Sequence, residues 1–146
     1  MNHRAWLAEA LGTFFLVGVC TGTAALDARL GGSLGPAWLS ASTGTIVAAM
    51  IYWLGKTSGA HINPAVTLGF FLQGRLSPGL FASYLGAQVL GAVAASAIVF
   101  AAMPAEAFHG LTLPQTGLGA AFAIEVAITL VLVTVILEVS LGRKWP

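Results

Sequence analysis

Four long apolar runs set the pattern of this chain. They are Trp6 to Ala25, Trp38 to Gly55, Leu80 to Ala102 and Leu118 to Leu141. Each approaches the ~20 residues that cross a ~30 Å hydrocarbon core at ~1.5 Å per residue, so each predicts a spanning helix. Trp6, Trp38 and Trp53 sit near run ends, where interfacial aromatics belong. The first run is longer than a signal-peptide core and has no clear small-residue cleavage site beside it, so it reads as a retained span.

Between the second and third runs lies a different stretch, "SGAHINPAVTLGFFLQ", Ser58 to Gln73. Its apolar part is too short to cross. Ten residues from Pro64 give about 15 Å of helix, half the hydrocarbon thickness, which predicts a re-entrant half-helix. Asn is among the best N-cap residues and Pro suits the first helical position, so Asn63 and Pro64 start that helix. Its unpaired N–H groups and positive dipole end then lie near mid-membrane, where they are tolerated only against protein or a water-filled cavity. Ser58, Gly59 and Ala60 are small enough for an extended backbone to pass close to its neighbours and show carbonyls to a pore. The Asn63 amide is a candidate partner for passing oxygen atoms, while a hydrated cation meets the wrong end of the dipole. A bare Asn-Pro is ordinarily just a cap on a short interfacial or loop helix. Here it opens a half-span apolar helix between spans, which favours the pore.

Composition agrees with lipid as the solvent. The chain has 146 residues, 58% hydrophobic and 8% charged, and a soluble domain of that size cannot hide so much apolar surface. The fold class is therefore an all-α integral membrane protein, four transmembrane helices plus one half-helix, in a single membrane domain over 1–146. With the N-terminus inside, Arg4, Lys56, Arg75, Arg143 and Lys144 fall on the cytoplasmic side and Arg29 alone outside, which places both termini in the cytoplasm. The low charge and short loops point to a bacterial inner membrane. A net charge of +1, scattered at helix ends, forms no nucleic-acid patch. The single Cys20 excludes an intramolecular disulfide and a Cys-based metal cluster, and reads as a packing residue.

"SGAHINPAVTLG" resembles the first signature loop of the aquaporin and glycerol-facilitator family, the major intrinsic proteins. "AEALGTFFLVGVCTG" is similar to that family's first helix, "YLGAQVLGAVAASAI" to its third and "GLGAAFAIEVAITLVLV" to its fourth, so the resemblance covers nearly the whole chain. It implies a fold of six spans in two inverted repeats, each with one NPA half-helix, and tetramers with a pore in every subunit. On that pattern Asn63 is the pore amide, Ala65 packs at the contact between half-helices, and His61 with neighbouring carbonyls lines the cytoplasmic half.

The chain also carries an internal repeat. Glu9 is followed by Thr13 at i+4 in the first run, and Glu125 by Thr129 at i+4 in the fourth. Three spans and a half-helix separate them, and an odd number of crossings inverts the second copy. The first repeat covers about 1–103 and the start of the second about 117–146. An acidic residue inside a span is costly and needs a partner, and each carboxylate is a candidate acceptor for the unpaired backbone ahead of a half-helix. The alternative is a Glu near a helix end that snorkels to water. Gln88, mid-span in the third run, needs a partner too, and its family-matching position implies a bond to the NPA loop backbone. Asn63 follows Glu9 by 54 positions, so its counterpart after Glu125 falls near position 179, past Pro146. The reading is accordingly an incomplete aquaporin-like fold, a truncated member of the family, with a four-span remnant that needs a partner as the alternative. Ser83, Ala87, Gly91 and Ala95 form a stripe of small residues on the third run, and Gly18 and Gly22 another on the first, which predicts close helix approach.

Selectivity departs from the family pattern. Twenty positions before Asn63 stands Thr43, where water-selective members usually carry an aromatic; a small hydroxyl there implies a wider or more polar constriction. The leading function is passive permeation of water and small neutral solutes such as glycerol. A non-conducting half-channel or assembly subunit is the alternative. A secondary transporter calls for ionisable residues near the half-helix, and only His61 is close. An enzyme needs clustered acid, base or metal ligands, whereas His3, His61 and His109 are spread over a terminus and two loops, and no cofactor is expected.

Overall fold

A computed structural model describes residues 2–110, 113–114, 116–140 and 142. Four helices in it are long and apolar enough to cross a membrane: α1 (His3–Arg29), α2 (Gly35–Ser58), α4 (Pro78–Ala102) and α5 (Leu118–Ser140). Between α2 and α4 lies the nine-residue helix α3 (Pro64–Leu72), and a 3-10 turn (Ala107–Gly110) precedes α5. The architecture is all-helical and that of a multi-pass membrane protein. Leu141, the last residue of the fourth apolar run, and the basic pair Arg143 and Lys144 lie outside the described residues.

The first three spanning helices, α1, α2 and α4, outrun the apolar stretches that predict them. α1 has 27 residues, about 40 Å at ~1.5 Å per residue, against a ~30 Å hydrocarbon core. Hydrophobicity marks only the part of a helix that meets lipid, and capping carries the backbone further. The Asn2 side chain accepts from Ala5 N at one end of α1. At the other, Asp27 Oδ1 accepts from Leu34 N at 2.8 Å and Gly35 N at 3.1 Å, so the end of α1 holds the start of α2. Ser77 caps α4 through Leu80 N, with Pro78 at its first position.

α1 is the hub, packed against α2, α4 and the 3-10 turn. Its contact with α4 is close because small residues face each other: Gly91 meets Ala10 and Phe14, Ala95 meets Gly18, and Val99 meets Gly22. Position numbers rise together along both helices, so α1 and α4 run parallel. A short turn returns α2 alongside α1, and α4 starts at the end where α2 stops. The segment holding α3 therefore leaves and rejoins the bundle at one end. Arg4, Lys56 and Arg75 lie at that end, and Arg29 at the other.

α5 stands apart. Its main packing is on the short helix α3, where Gly69 faces Val133 and Leu137, and none of its residues is buried. Phe122, Leu130 and Val131 remain exposed on it, as apolar side chains do when lipid is the solvent.

Candidate functional site

The loop between α2 and α3 is built by a buried carboxylate. Gly59 ends α2 in the left-handed region at φ 91°, with its N–H on Gly55 O. Ala60 at φ 48° and Ile62 at φ 42° follow with the same handedness. A β-branched residue there is a true outlier, and such conformations cost of order 1–3 kcal/mol each, so the surroundings must impose them. Glu9, with no exposed surface, does so. Its Oε1 accepts from Ser58 Oγ at 2.6 Å and His61 N at 2.9 Å, and its Oε2 from Ile62 N at 2.7 Å and Gln88 Nε2 at 2.8 Å. Two donors on each oxygen suit an acceptor-only carboxylate. Gly12 on α1 leaves the space that the Ile62 side chain fills.

Asn63 then starts α3 from extended backbone at φ −153°, its Oδ1 accepting from Ala65 N at 2.7 Å and Val66 N at 3.4 Å. One turn on, Thr67 Oγ1 donates to Asn63 O at 2.9 Å and accepts from Gln88 Nε2 at 2.9 Å. The hydroxyl proton is used, so the 3.3 Å contact with His61 Nδ1 makes that nitrogen the donor. The His61 ring is buried, stacked on Phe70 with centroids 4.5 Å apart and edge-on to Tyr84, whose hydroxyl donates to Ser58 O at 2.8 Å.

The result is one-sided. The loop N–H groups of Gly59, Ala60, His61 and Ile62 all have partners, on Gly55, Ser58 and Glu9. Among the described residues the carbonyls of the same four residues accept no hydrogen bond, and Asn63 Nδ2 donates none. These acceptors and one amide donor are thus without a protein partner among the described residues.

Of the residues singled out from the sequence, the structure gathers Glu9, Gly59, His61, Asn63, Pro64, Ala65 and Gln88 in this cluster. Gln88 reaches the loop through Glu9 and Thr67 instead of touching the loop backbone directly. Thr43 is elsewhere, 15 residues before Ser58 and so about 22 Å back along α2. Its hydroxyl lies 3.3 Å from Cys20 Sγ, so Cys20 is a hydrogen-bonding neighbour as well as a packing residue. Glu125 is exposed; it lines an open groove of about 410 Å³ opposite Ala65 and Gly69 and, among the described residues, bonds to no backbone donor.

Sequence reasoning missed Thr67, Tyr84 and Phe70. A signal existed for two of them. A Thr four residues after an N-cap is placed to bond back to the cap carbonyl, and Tyr84 shares the Gln88 face of α4 at i and i+4. Replacing Thr67 by Val is expected to destabilise the folded chain by about 1–3 kcal/mol, since the Gln88 amide and the His61 ring lose a buried partner. Thr67→Ser should melt close to wild type in the same detergent, and equal melting of all three would contradict this role.

The chain is similar to known proteins over almost all of its length. A family model described as Major intrinsic protein matches residues 1–144. Aquaporin Z of Rhodopseudomonas palustris is 37% identical over 158 residues, which cover 98% of this chain and 65% of that protein. Aquaporin NIP1-3 of Oryza sativa subsp. japonica is 39% identical over 141 residues, 94% of this chain and 49% of the relative. The Lens fiber major intrinsic protein of Lithobates pipiens is 37% identical over 134 residues, 87% and 49% respectively. The chain spans about half to two thirds of the length of these relatives.

Proposed function

The chain belongs to the major intrinsic protein family, and from that premise we propose that it builds one wall of a membrane pore for water and small neutral solutes such as glycerol. The observation that carries the reading is the one-sided loop, whose N–H groups are tied to Glu9, Ser58 and Gly55 while its carbonyls and the Asn63 Nδ2 have no protein partner among the described residues. In this account α3 is a re-entrant half-helix. Nine residues rise about 14 Å and cannot span ~30 Å, and the parallel run of α1 and α4 returns the chain to the end it left.

A water molecule moving along this wall accepts from Asn63 Nδ2 and donates to the carbonyls of Gly59 to Ile62. The positive end of α3 points at its oxygen and opposes cations. Glu9 and Gln88 hold the loop and touch no solute; Pro64 and Ala65 set the first turn of α3, and Glu125 is the matching support in a second repeat that starts near residue 117. Thr43 takes the constriction position, with His61 deeper in the wall. No covalent chemistry is required. The basic residues at the shared end of α1, α2 and α4 support a cytoplasmic N-terminus, and the low charge and short loops favour a bacterial inner membrane. Family membership supports a tetrameric assembly as part of this proposal.

Vesicles reconstituted with the protein carrying this chain test the proposal. Osmotic shrinkage should be several-fold faster than in empty vesicles and indifferent to ion gradients. Flux that follows an ion gradient would overturn the reading in favour of secondary transport. The open groove between α3 and α5, with Glu125 on its wall, favours a second reading, an assembly subunit whose pore a partner polypeptide closes. No flux, together with co-purification of a channel, would select it.

A further inference from the structure

At the end of α1 away from the loop, a groove of about 510 Å³ opens between α1, α4 and the 3-10 turn, within the ~300–1,000 Å³ range of small-molecule sites. Val93, Ala97, Phe100 and Phe108 give it apolar walls, with Phe100 and Phe108 edge to face at 6.2 Å. Two hydroxyls line it, Thr21, which already donates to Val17 O, and Ser96; the rest of the wall is apolar side chain and small residues, which suits hydrocarbon. Above the groove lies a charged pair. Arg29 Nε stands 4.0 Å from Glu106 Oε1, too far for a hydrogen bond, and the Arg29 side chain is 61% exposed. Glu106 adjoins Ala107 on the groove wall, and Arg29 is eight residues beyond Thr21, about 12 Å further along α1. That rise takes the guanidinium from acyl-chain depth to the headgroup layer, which adds roughly 5–7 Å on each side of the core.

We propose that this groove binds a single phospholipid whose headgroup ends in a primary ammonium, with one acyl chain lying along the wall formed by Val93, Ala97 and the Phe100–Phe108 pair, the phosphate on Arg29 and the ammonium on Glu106. Charge complementarity selects the headgroup: a cation and a carboxylate side by side match a zwitterion, whereas Glu106 opposes an anionic lipid. A quaternary ammonium keeps the charge but cannot donate a hydrogen bond to the carboxylate. The proposal stands independently of the pore reading.

The test is native mass spectrometry of the folded chain in detergent with equimolar phosphatidylethanolamine and phosphatidylcholine of identical acyl chains. Wild type should retain one lipid per chain with a preference for the ethanolamine headgroup of about threefold, the size of effect a partly exposed ion pair gives. Glu106→Gln should bring the ratio to one while circular dichroism stays unchanged, and Arg29→Gln should lower retention of both lipids. A ratio of one in wild type, meaning an unselective lipid shell only, would overturn the proposal. So would an unchanged ratio in Glu106→Gln, or displacement by phosphatidylglycerol at equal concentration.

Discussion

Replacing Glu9 by Ala is expected to cost on the order of 4 kcal/mol, because three buried donors and the half-buried Ser58 hydroxyl each lose an acceptor at about 1 kcal/mol. The left-handed backbone at Ala60 and Ile62 then has nothing to impose it, so the loop relaxes and the start of α3 moves. Glu9→Gln should fall between, since an amide keeps one acceptor but turns its NH₂ toward donors. Glu125→Ala is the control: exposed and without a backbone donor among the described residues, it should stay within about 0.5 kcal/mol of wild type. Unfolding in mixed micelles gives the ordering, and hydrogen exchange at the His61 and Ile62 amides should accelerate selectively in the Glu9 variants. If Glu9→Ala unfolds with wild type, the carboxylate is not what holds the loop.

Gly91→Ala is the second large effect. A methyl at Gly91 would overlap the carbonyl oxygen of Ala10 and crowd Phe14 N at 3.1 Å, and both are helix backbone with no side chain to swing away. α1 and α4 must separate, at the 1–3 kcal/mol or more typical of overpacking. The same separation pulls Glu9 from Gln88, which faces it one turn below Gly91. Gly86→Ala, on the same helix with open space around its Cα, should be neutral. Melting of the two variants side by side decides the matter; equal melting would mean that the helices tolerate a wider crossing.

The parts of this molecule legible in its sequence are those set by local chemistry or by the bilayer. Span number follows from the length lipid demands, and the start of α3 from a cap and a proline that act within one turn. The polar residues Glu9 and Gln88 announce that they need partners, because hydrocarbon offers none. Which partners they take depends on how α1 and α4 turn toward each other, and no local signal carries that. For the same reason the link from Gln88 to the loop runs through Glu9 and Thr67, and Cys20 meets Thr43. The positive φ of Ile62 is invisible in sequence, since an Ile argues against it; only the Glu9 carboxylate overrules the residue. Glu9 and Glu125 share a spacing to Thr and differ in surroundings: among the described residues Glu9 is buried on four donors and Glu125 is exposed on a groove wall, a difference the spacing does not carry.

A pore wall built from this loop requires α3 to enter the membrane with its N-terminus deepest. Single spin labels at Ala65 and at Leu72, each in a Cys20→Ser background, measure this directly through their relative collision rates with oxygen and with a water-soluble nickel chelate. Seven residues separate the two sites, about 10 Å at ~1.5 Å per residue. Ala65 should lie deeper than Leu72 by about that much. Equal depths would mean a helix lying in the interface, with Asn63 an ordinary cap and no pore wall built from this loop.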